Sequence, residues 1–192
     1  MDVMQAITQR RSIRRFTQEP VAREVLEAVA NAARLSPTGM NLQPLQFAII
    51  SQKALCEQIF PHTAWAKRIP DGSAGPTEAT QPTAYVAILI DKELAKASDV
   101  DAGAAAMSIM IAAESFGVAS CWLGSLDRKE ILNALSLDES RYALHTLVAL
   151  GHPAMQSRAV PMQGNEIGYY LESPDVLCVP KRAKEDILHW YE

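Results

Sequence analysis

Residues 101–116 constrain the fold more than any other stretch of the sequence. The segment has the length of a helix, ends before Gly117, and is apolar on nearly every side. A helix that is apolar all round must be buried all round. In a chain of 192 residues, such a helix has to lie at the centre of the fold or against a second subunit, where its many alanines permit close approach.

Length and composition predict one soluble globular domain that spans residues 1–192. The chain has 48% apolar and 21% charged residues, which is ordinary for a globular protein. Its formal net charge of −4 argues against a nucleic-acid partner, because such binders carry a basic surplus. The longest nearly apolar stretch, residues 103–113, is far shorter than a membrane span, so we expect no membrane partner.

The cysteines and the amino terminus predict a cytoplasmic protein. Cys56, Cys121 and Cys178 are odd in number, lie far apart and form no C-x-x-C pair, which favours free thiols in a reducing compartment. The first residues show no basic segment followed by a long apolar one, so no secretory signal is expected. The histidines have no metal-ligand spacing, and we predict no metal site.

Periodicity predicts helices and strands in alternation around the apolar helix. Helices are expected over residues 2–10, 21–35, 52–60 and 128–135, and strands over residues 46–51, 85–91, 119–123 and 144–150. Residues 61–82 carry four prolines and two glycines and predict a long loop, a feature that is often functional. The more polar residues 154–192, with possible short strands at 167–171 and 176–179, predict an extended arm.

Several catalytic signatures are absent from the sequence. It contains no G-x-S-x-G elbow, no G-x-x-x-x-G-K-S/T phosphate loop and no G-x-G-x-x-G dinucleotide turn. A hydrolase or a Rossmann-type protein is therefore not favoured.

The cationic run Arg-Arg-Ser-Ile-Arg-Arg-Phe at residues 10–16 is the first candidate for binding. Guanidinium groups can clasp the oxygens of a phosphate monoester in pairs, while a serine hydroxyl supplies a neutral donor. The run is therefore suited to a cofactor phosphate. The alternative is a set of solvated cations placed favourably near the carboxyl end of a helix.

Two further segments have the chemistry of a binding loop. Residues 36–44 (Ser-Pro-Thr-Gly-Met-Asn-Leu-Gln-Pro) combine turn formers and amides, which can read the polar edge of a flat heterocycle. Residues 121–125 (Cys-Trp-Leu-Gly-Ser) end a predicted strand in small residues, and the amide of Gly124 could donate to a ring nitrogen. The alternative for each is an ordinary connection between elements.

In this order and at this spacing, the three segments resemble the nitroreductase family of flavoproteins. The Leu-Val-Ala-Leu-Gly-His-Pro strand end at residues 147–153 and the late Val-Pro-Lys-Arg-Ala-Lys-Glu-Asp-Ile-Leu at residues 179–188 complete a pattern that covers almost the entire chain. The resemblance implies an α+β fold with a mixed, largely antiparallel sheet surrounded by helices. It also implies an intertwined homodimer in which the carboxyl-terminal extension, residues 154–192, crosses to the partner.

The same resemblance implies where FMN is held. Arg10, Ser12 and Arg11 would bind its phosphate or ribityl chain, with Arg14 near the pyrimidine edge. Lys181 and Arg182 would return to the same phosphate. The ring would meet Leu123, Gly124 and Ser125 around N5, and the other subunit would contribute Pro37, Thr38, Gly39, Asn41 and Gln43. No side chain is expected to be catalytic, because the flavin carries the redox chemistry.

The activity implied is ping-pong transfer of a hydride from NADH or NADPH, by way of flavin N5, to a small electron-poor acceptor such as a nitroaromatic or a quinone. Family members with specialised chemistry, either reductive dehalogenation or flavin consumption, are an alternative, and so is a non-catalytic flavin carrier or sensor. Leu45 stands where many relatives have tryptophan, and residues 61–82 form a short segment where many relatives build a substrate-covering helix. The acceptor is therefore the least transferable part of the resemblance.

Overall fold

The computed structural model of the protein describes residues 1–66, 69 and 73–192. In this part of the chain the helices are α1 (Val3–Gln9), α2 (Arg23–Arg34), α3 (Lys53–Ile59), α4 (Asp99–Ser115) and α5 (Arg128–Ala134). The strands are β1 (Leu45–Ile50), β2 (Ala84–Asp91), β3 (Ala119–Leu123), β4 (Tyr142–Gly151), β5 (Gln156–Pro161), β6 (Tyr170–Ser173) and β7 (Val176–Lys181).

An antiparallel sheet in the order β1-β2-β4-β3 forms the centre of the fold. Side chains alternate between its two faces, so Val86 and Ile88 pack on the side of α2 and α4, whereas Tyr85 and Ala87 pack on the other side. Every residue of β2 is buried, which explains why residues 84–90 are apolar without a break, and the strand ends in the buried Asp91. The strands β1 and β3 form the two edges.

Helix α4 lies where its sequence requires, against the sheet and between the other helices of that face. Its buried side chains are Ala102, Ala105, Ala106, Ile109, Met110 and Ala113. Helices α1 and α2 pack against it, and the small side chains allow this close approach. Within a single chain, α4 therefore has the central position that the sequence predicts. Met107 and Ile111 of this helix are only half-buried.

The carboxyl-terminal region is more structured than the extended arm that the sequence predicts. A second sheet has the order β5-β7-β6, with β5 parallel and β6 antiparallel to β7. Leu177 and Cys178 of β7 are fully buried. Leu177, with Met155, joins the core beneath the main sheet. The residues from 181 onward are all exposed. The sequence analysis did not predict β5, because its sequence is polar and because its parallel partner, β7, is distant in the chain, with Gln156 aligned with Val176.

The other predicted elements agree with the structure to within a few residues at their ends. β3 has the predicted bounds, and the predicted strand at 167–171 begins later, at Tyr170. Of the predicted loop at residues 61–82, the structure describes 61–66, 69 and 73–82, which include a 3-10 turn at Glu78–Thr80, while 67, 68 and 70–72 lie outside the described residues. Within the described residues, no helix has the length and apolar character needed to cross a membrane.

Candidate functional site

The arginine-rich segment lies along the free edge of β3. Ser12 forms a parallel β-bridge with Ser120, and the backbone N–H of Ile13 donates to the carbonyl of Ser120 at 3.0 Å. Further along, Phe16 is fully buried against Gly151 of β4. Two of the three predicted binding segments, residues 10–16 and 121–125, are therefore neighbours although more than a hundred positions separate them.

Three buried polar atoms surround this edge without a protein partner. Arg10 Nε, Arg14 Nη1 and Ser120 Oγ make no hydrogen bond to any residue in the described part of the chain. Burial, and to a smaller extent the neighbouring Arg11, lower the pKa of the Arg10 guanidinium. Buried donors are almost always paired in native proteins, so this cluster has the properties of a site that a polar or anionic ligand completes.

Cys121 marks the point on which these groups converge. Burial raises the pKa of its thiol, and Arg14, Ser12 and Arg10 each offset part of that rise. Since burial dominates, the thiol stays protonated near neutral pH and does not neutralise the arginines. Their positive charge is therefore available to a ligand. The half-buried carboxyl of Glu114 is also near, and burial raises its pKa as well.

The four arginines of the segment have separate structural roles. Arg11 donates to the carbonyls of Thr8 and Gln9 at the end of α1. This arginine therefore acts as the cation at a helix end that we considered as the alternative to a phosphate site. Arg15 donates to the carbonyl of Pro174 at 2.7 Å and pairs with Asp175 at 3.1 Å. Arg10 and Arg14 are the two that keep buried, unpaired nitrogens in the described structure. The chain thus singles out two of the four as ligand-binding candidates.

Gly124 opens the carboxyl end of β3. A Cβ built on this glycine would meet no atom within 4 Å, so a flat group can approach the backbone closely. Leu123 is buried and its carbonyl accepts from the hydroxyl of Thr146, while the carbonyl of Ser125 accepts a hydrogen bond from the N–H of Ala64 at 3.0 Å. Ser120 and Gly124 are four residues apart on a strand, about 13 Å, a span that a phosphate and a ring joined by a ribityl chain can bridge.

An open cavity of about 530 Å³ adjoins Gly124 on the side of α4. Trp122 and His145 line it, and His145 Nε2 lies 3.2 Å from Asp99 Oδ1. The pairing of β2 with β4 skips His145, which is therefore a bulged residue whose side chain departs from strict alternation. Sequence reasoning missed this group, because its members come from three separate elements and a bulge leaves no clear signal in the sequence.

The predicted loop at residues 37–43 adopts a constrained conformation. Met40, Asn41 and Gln43 have positive φ angles of 50°, 55° and 51°, which cost energy in residues other than glycine and occur most often at functional sites. The N–H of Gly39 donates to Asp101 at 3.1 Å, and Thr38 accepts from the N–H of Gln43 at 3.2 Å. Pro37, Gly39, Asn41 and Gln43 are exposed.

The same loop stands at the opposite edge of the sheet from residues 10–16. It leads into β1, and the order β1-β2-β4-β3 puts β2 and β4 between it and β3. Three strand spacings amount to about 14 Å. The loop and Gly124 lie toward the same end of the sheet, because β3 runs toward the start of β4, and the start of β4 pairs with Ile90, the partner of Leu45. One chain therefore does not bring all three predicted segments together.

The late basic pair stands at the opposite end of β7 from the residue that pairs with Arg15. Lys181 ends β7, and both Lys181 and Arg182 are exposed. Asp175, the partner of Arg15, immediately precedes the same strand, so about 20 Å separates it from Lys181. The predicted return of this pair to the phosphate of Arg10 stays a prediction.

The Pro- and Gly-rich loop is anchored on both sides of the candidate site. Thr63 forms a β-bridge with Leu126, just beyond Gly124. Further along, Arg15 donates to the carbonyls of Ser73 and Gly75. Both described ends of the loop are therefore held close to the edge of β3.

The chain is an α+β protein in which unpaired buried polar atoms of Arg10, Arg14 and Ser120 cluster beside an edge strand. Residues 7–152 match the model of the nitroreductase family. The chain belongs to the nitroreductase family, and the predicted family and fold class are confirmed.

Individual relatives agree with this membership. A protein of Archaeoglobus fulgidus, named provisionally as an NADH dehydrogenase/NAD(P)H nitroreductase, is 27% identical over 160 residues, which cover 79% of this chain and 86% of that protein. An NAD(P)H-specific FMN reductase of Bacillus subtilis is 26% identical over 83% of this chain and 69% of its own length. A crystal structure from Desulfovibrio desulfuricans, described provisionally as a nitroreductase in complex with FMN, is 30% identical, covers 81% of this chain and 88% of its own, and superposes with a TM-score of 0.66.

Proposed function

We propose that the protein is an FMN-dependent oxidoreductase that uses NADH or NADPH to reduce a small electron-poor acceptor. The observation that carries the proposal is the pair of buried, unpaired nitrogens on Arg10 and Arg14 beside Ser12. The names of the Bacillus subtilis and Desulfovibrio desulfuricans relatives support both the cofactor and the class of enzyme.

The donors along β3 fit the parts of FMN in order. Arg10 and Ser12 bind the phosphate or ribityl end, where guanidinium and hydroxyl donors suit an anion. Arg14 lies toward the pyrimidine edge, and the open backbone at Leu123, Gly124 and Ser125 receives the ring around N5. Arg11 caps α1 and contributes positive charge at the phosphate end.

A homodimer completes the site. The loop that holds Pro37, Thr38, Gly39, Asn41 and Gln43 is about 14 Å from β3 in its own chain, so the loop over the ring comes from the second subunit. Lys181 and Arg182 approach the phosphate in the assembled dimer.

Exposed apolar side chains support this assembly. Val3 and Met4 on α1 are 68% and 64% exposed, with Ile7 beside them. In the tail, Trp190 and Tyr191 are 80% and 96% exposed. Such patches on a folded chain mark interaction surfaces, and we assign them to contacts with a second copy of this chain. The buried free thiols of Cys56, Cys121 and Cys178 support a reducing, cytoplasmic location.

The chemistry requires little of the protein beyond position and charge. When bound, FMN supplies the two-electron chemistry that links NAD(P)H to the acceptor, and the protein supplies binding and electrostatics. Arg14 would hold the pyrimidine edge of the bound ring, and its charge would stabilise negative charge there. NAD(P)H and the acceptor, a nitroaromatic or a quinone, use one place in turn in a ping-pong sequence. The cavity lined by Trp122 and His145 beside Gly124 is the space available to them.

The visible spectrum of freshly purified protein tests the cofactor. We expect oxidised-flavin bands and release of FMN, not FAD, on denaturation. Steady oxidation of NADH or NADPH that depends on a nitroaromatic or quinone tests the activity. A purified chain that stays colourless and binds no added FMN contradicts the whole proposal. FMN binding without acceptor-dependent NAD(P)H oxidation favours the non-catalytic carrier or sensor instead.

A further inference from the structure

Tyr169, the residue immediately before β6, contacts Arg14 of the candidate site. The Arg14 Cζ atom lies over the Tyr169 ring, 4.9 Å from its centroid. Tyr169 is half-buried and packs against the core of the protein. A guanidinium over an aromatic face is attracted to it, and this contact restricts the position of the charged group.

The support beneath Tyr169 is rigid. The next residues along β6 pair with β7, Tyr170 with Cys178 and Leu171 with Leu177. Cys178 and Leu177 are fully buried. The Tyr169 ring that contacts the Arg14 guanidinium is therefore anchored to the core by the pairing of β6 with β7.

The same hairpin also holds the neighbouring arginine. Arg15 donates to the carbonyl of Pro174 at 2.7 Å and pairs with Asp175 at 3.1 Å, both in the turn between β6 and β7. Two successive arginines thus contact one hairpin and the residue that leads into it, Arg15 through the turn and Arg14 through Tyr169, which immediately precedes β6. Arg15 fixes the backbone, and the ring then fixes the side chain of Arg14.

One guanidinium nitrogen of Arg14 lacks a hydrogen-bond partner among the described residues. This atom, Nη1, is buried. A stacked guanidinium with a free in-plane N–H presents a directed donor to a ligand, whereas an unsupported side chain would reach water.

We propose that Tyr169 is a positioning residue that fixes the Arg14 guanidinium for contact with the pyrimidine edge of FMN. Tyr169 thereby sets the preference of the site for reduced over oxidised FMN. The inference rests on the proposed function. A fixed positive charge near N1 and the C2 oxygen favours the reduced ring, which carries more negative charge there, and a charge held in advance costs no reorganisation.

The test compares Tyr169→Leu, which removes the aromatic face, with Tyr169→Phe, which keeps it. We expect Tyr169→Leu to lower the preference for reduced FMN about tenfold, which corresponds to a fall of about 30 mV in the two-electron midpoint potential. Tyr169→Phe should keep the native potential. The measurements are dissociation constants of oxidised and dithionite-reduced FMN with the apoprotein, and the potential by dye equilibration. Tyr169→Met replaces Tyr169→Leu if the latter does not fold.

A double-mutant cycle separates positioning from general loss of structure. In the Arg14→Ala background, Tyr169→Leu should produce no further change in the potential, because the ring acts through Arg14. A shift that persists without Arg14 overturns the inference, and so does a folded Tyr169→Leu protein with the native potential. Failure of the native chain to bind FMN at all instead removes the proposed function, so the two failures are distinguishable.

Discussion

Ser12 and Ser120 pair backbone to backbone, so the arginine segment is fixed in register against the edge of β3. This register determines which side chains lie beside Ser120 and Cys121 of that strand. Arg10 and Arg14 keep unpaired buried nitrogens in the described structure, whereas Arg11 and Arg15 are used by the protein itself.

Arg10→Ala should weaken FMN binding without weakening the fold. Loss of a charge-assisted hydrogen bond to the phosphate should raise the dissociation constant about 10- to 100-fold. The free energy of unfolding of the apoprotein should not fall, because the variant removes a half-buried guanidinium whose Nε atom is buried without a hydrogen-bond partner among the described residues. Titration of apoprotein with FMN and denaturant unfolding measure the two effects. Arg23→Ala, on the exposed face of α2, is the matched control. An apoprotein destabilised by Arg10→Ala, with FMN affinity unchanged, would show a structural role instead.

Gly124→Ala should separate ligand binding from stability in a similar way. The added Cβ meets no protein atom within 4 Å, so the free energy of unfolding should stay within about 0.5 kcal/mol of native. The same Cβ occupies the space through which a ring approaches the main chain, and the FMN dissociation constant should rise about tenfold. Gly168→Ala, also without a neighbour within 4 Å, should change neither quantity. Native FMN affinity in Gly124→Ala would remove this glycine from the site.

Gly151→Ala should destabilise the protein through Phe16. A Cβ on Gly151 would lie 2.8 Å from one ring carbon of Phe16, and that ring is fully buried and cannot move aside. Overpacking of this kind costs about 1–3 kcal/mol. Thermal and urea unfolding of the apoprotein measure it. If the clash is the cause, Phe16→Leu should recover part of the loss in the double variant, and simple additivity of the two changes would contradict this explanation.

The ion pair of Asp91 with Arg141 should make stability depend on acid pH. Asp91 is buried at the end of β2, and its hydrogen bond with Arg141, 2.9 Å to Nη2, lowers the pKa of the carboxyl. A carboxyl with a depressed folded-state pKa contributes stability above its unfolded pKa of about 3.9, and that contribution is lost as the pH falls through the lower folded-state value. Unfolding free energies measured from neutral pH downward should show this loss. Arg141→Met should have lower stability at neutral pH and a flatter acid dependence. A slope equal to that of the native chain would exclude Asp91 as its source.

Much of the fold could be predicted because its strongest signals are local. The apolar run of β2 and the small-residue helix α4 each follow from a repeating pattern within one segment. The strand β5 did not follow, because a polar strand is stabilised by a parallel partner that periodicity cannot identify. The candidate site also has a part that follows from local sequence and a part that depends on distant contacts. The run of arginines indicated an anion site, but its composition could not assign Arg11 and Arg15 to carbonyls, since those contacts depend on a helix end and a distant hairpin. Tyr169 and His145 carried no signal, because their importance arises from contacts across the chain.

The strand order β1-β2-β4-β3 places the amide-rich loop and the arginine segment on opposite margins of each chain. In the proposed homodimer, each cofactor therefore depends on two polypeptides. Occupancy should then follow subunit association by mass action, and dilution below the dimer dissociation constant should release FMN. A mixture of Arg10→Ala chains with chains altered in the loop should regain activity, because half of the sites in the hybrid combine an intact arginine segment with an intact loop.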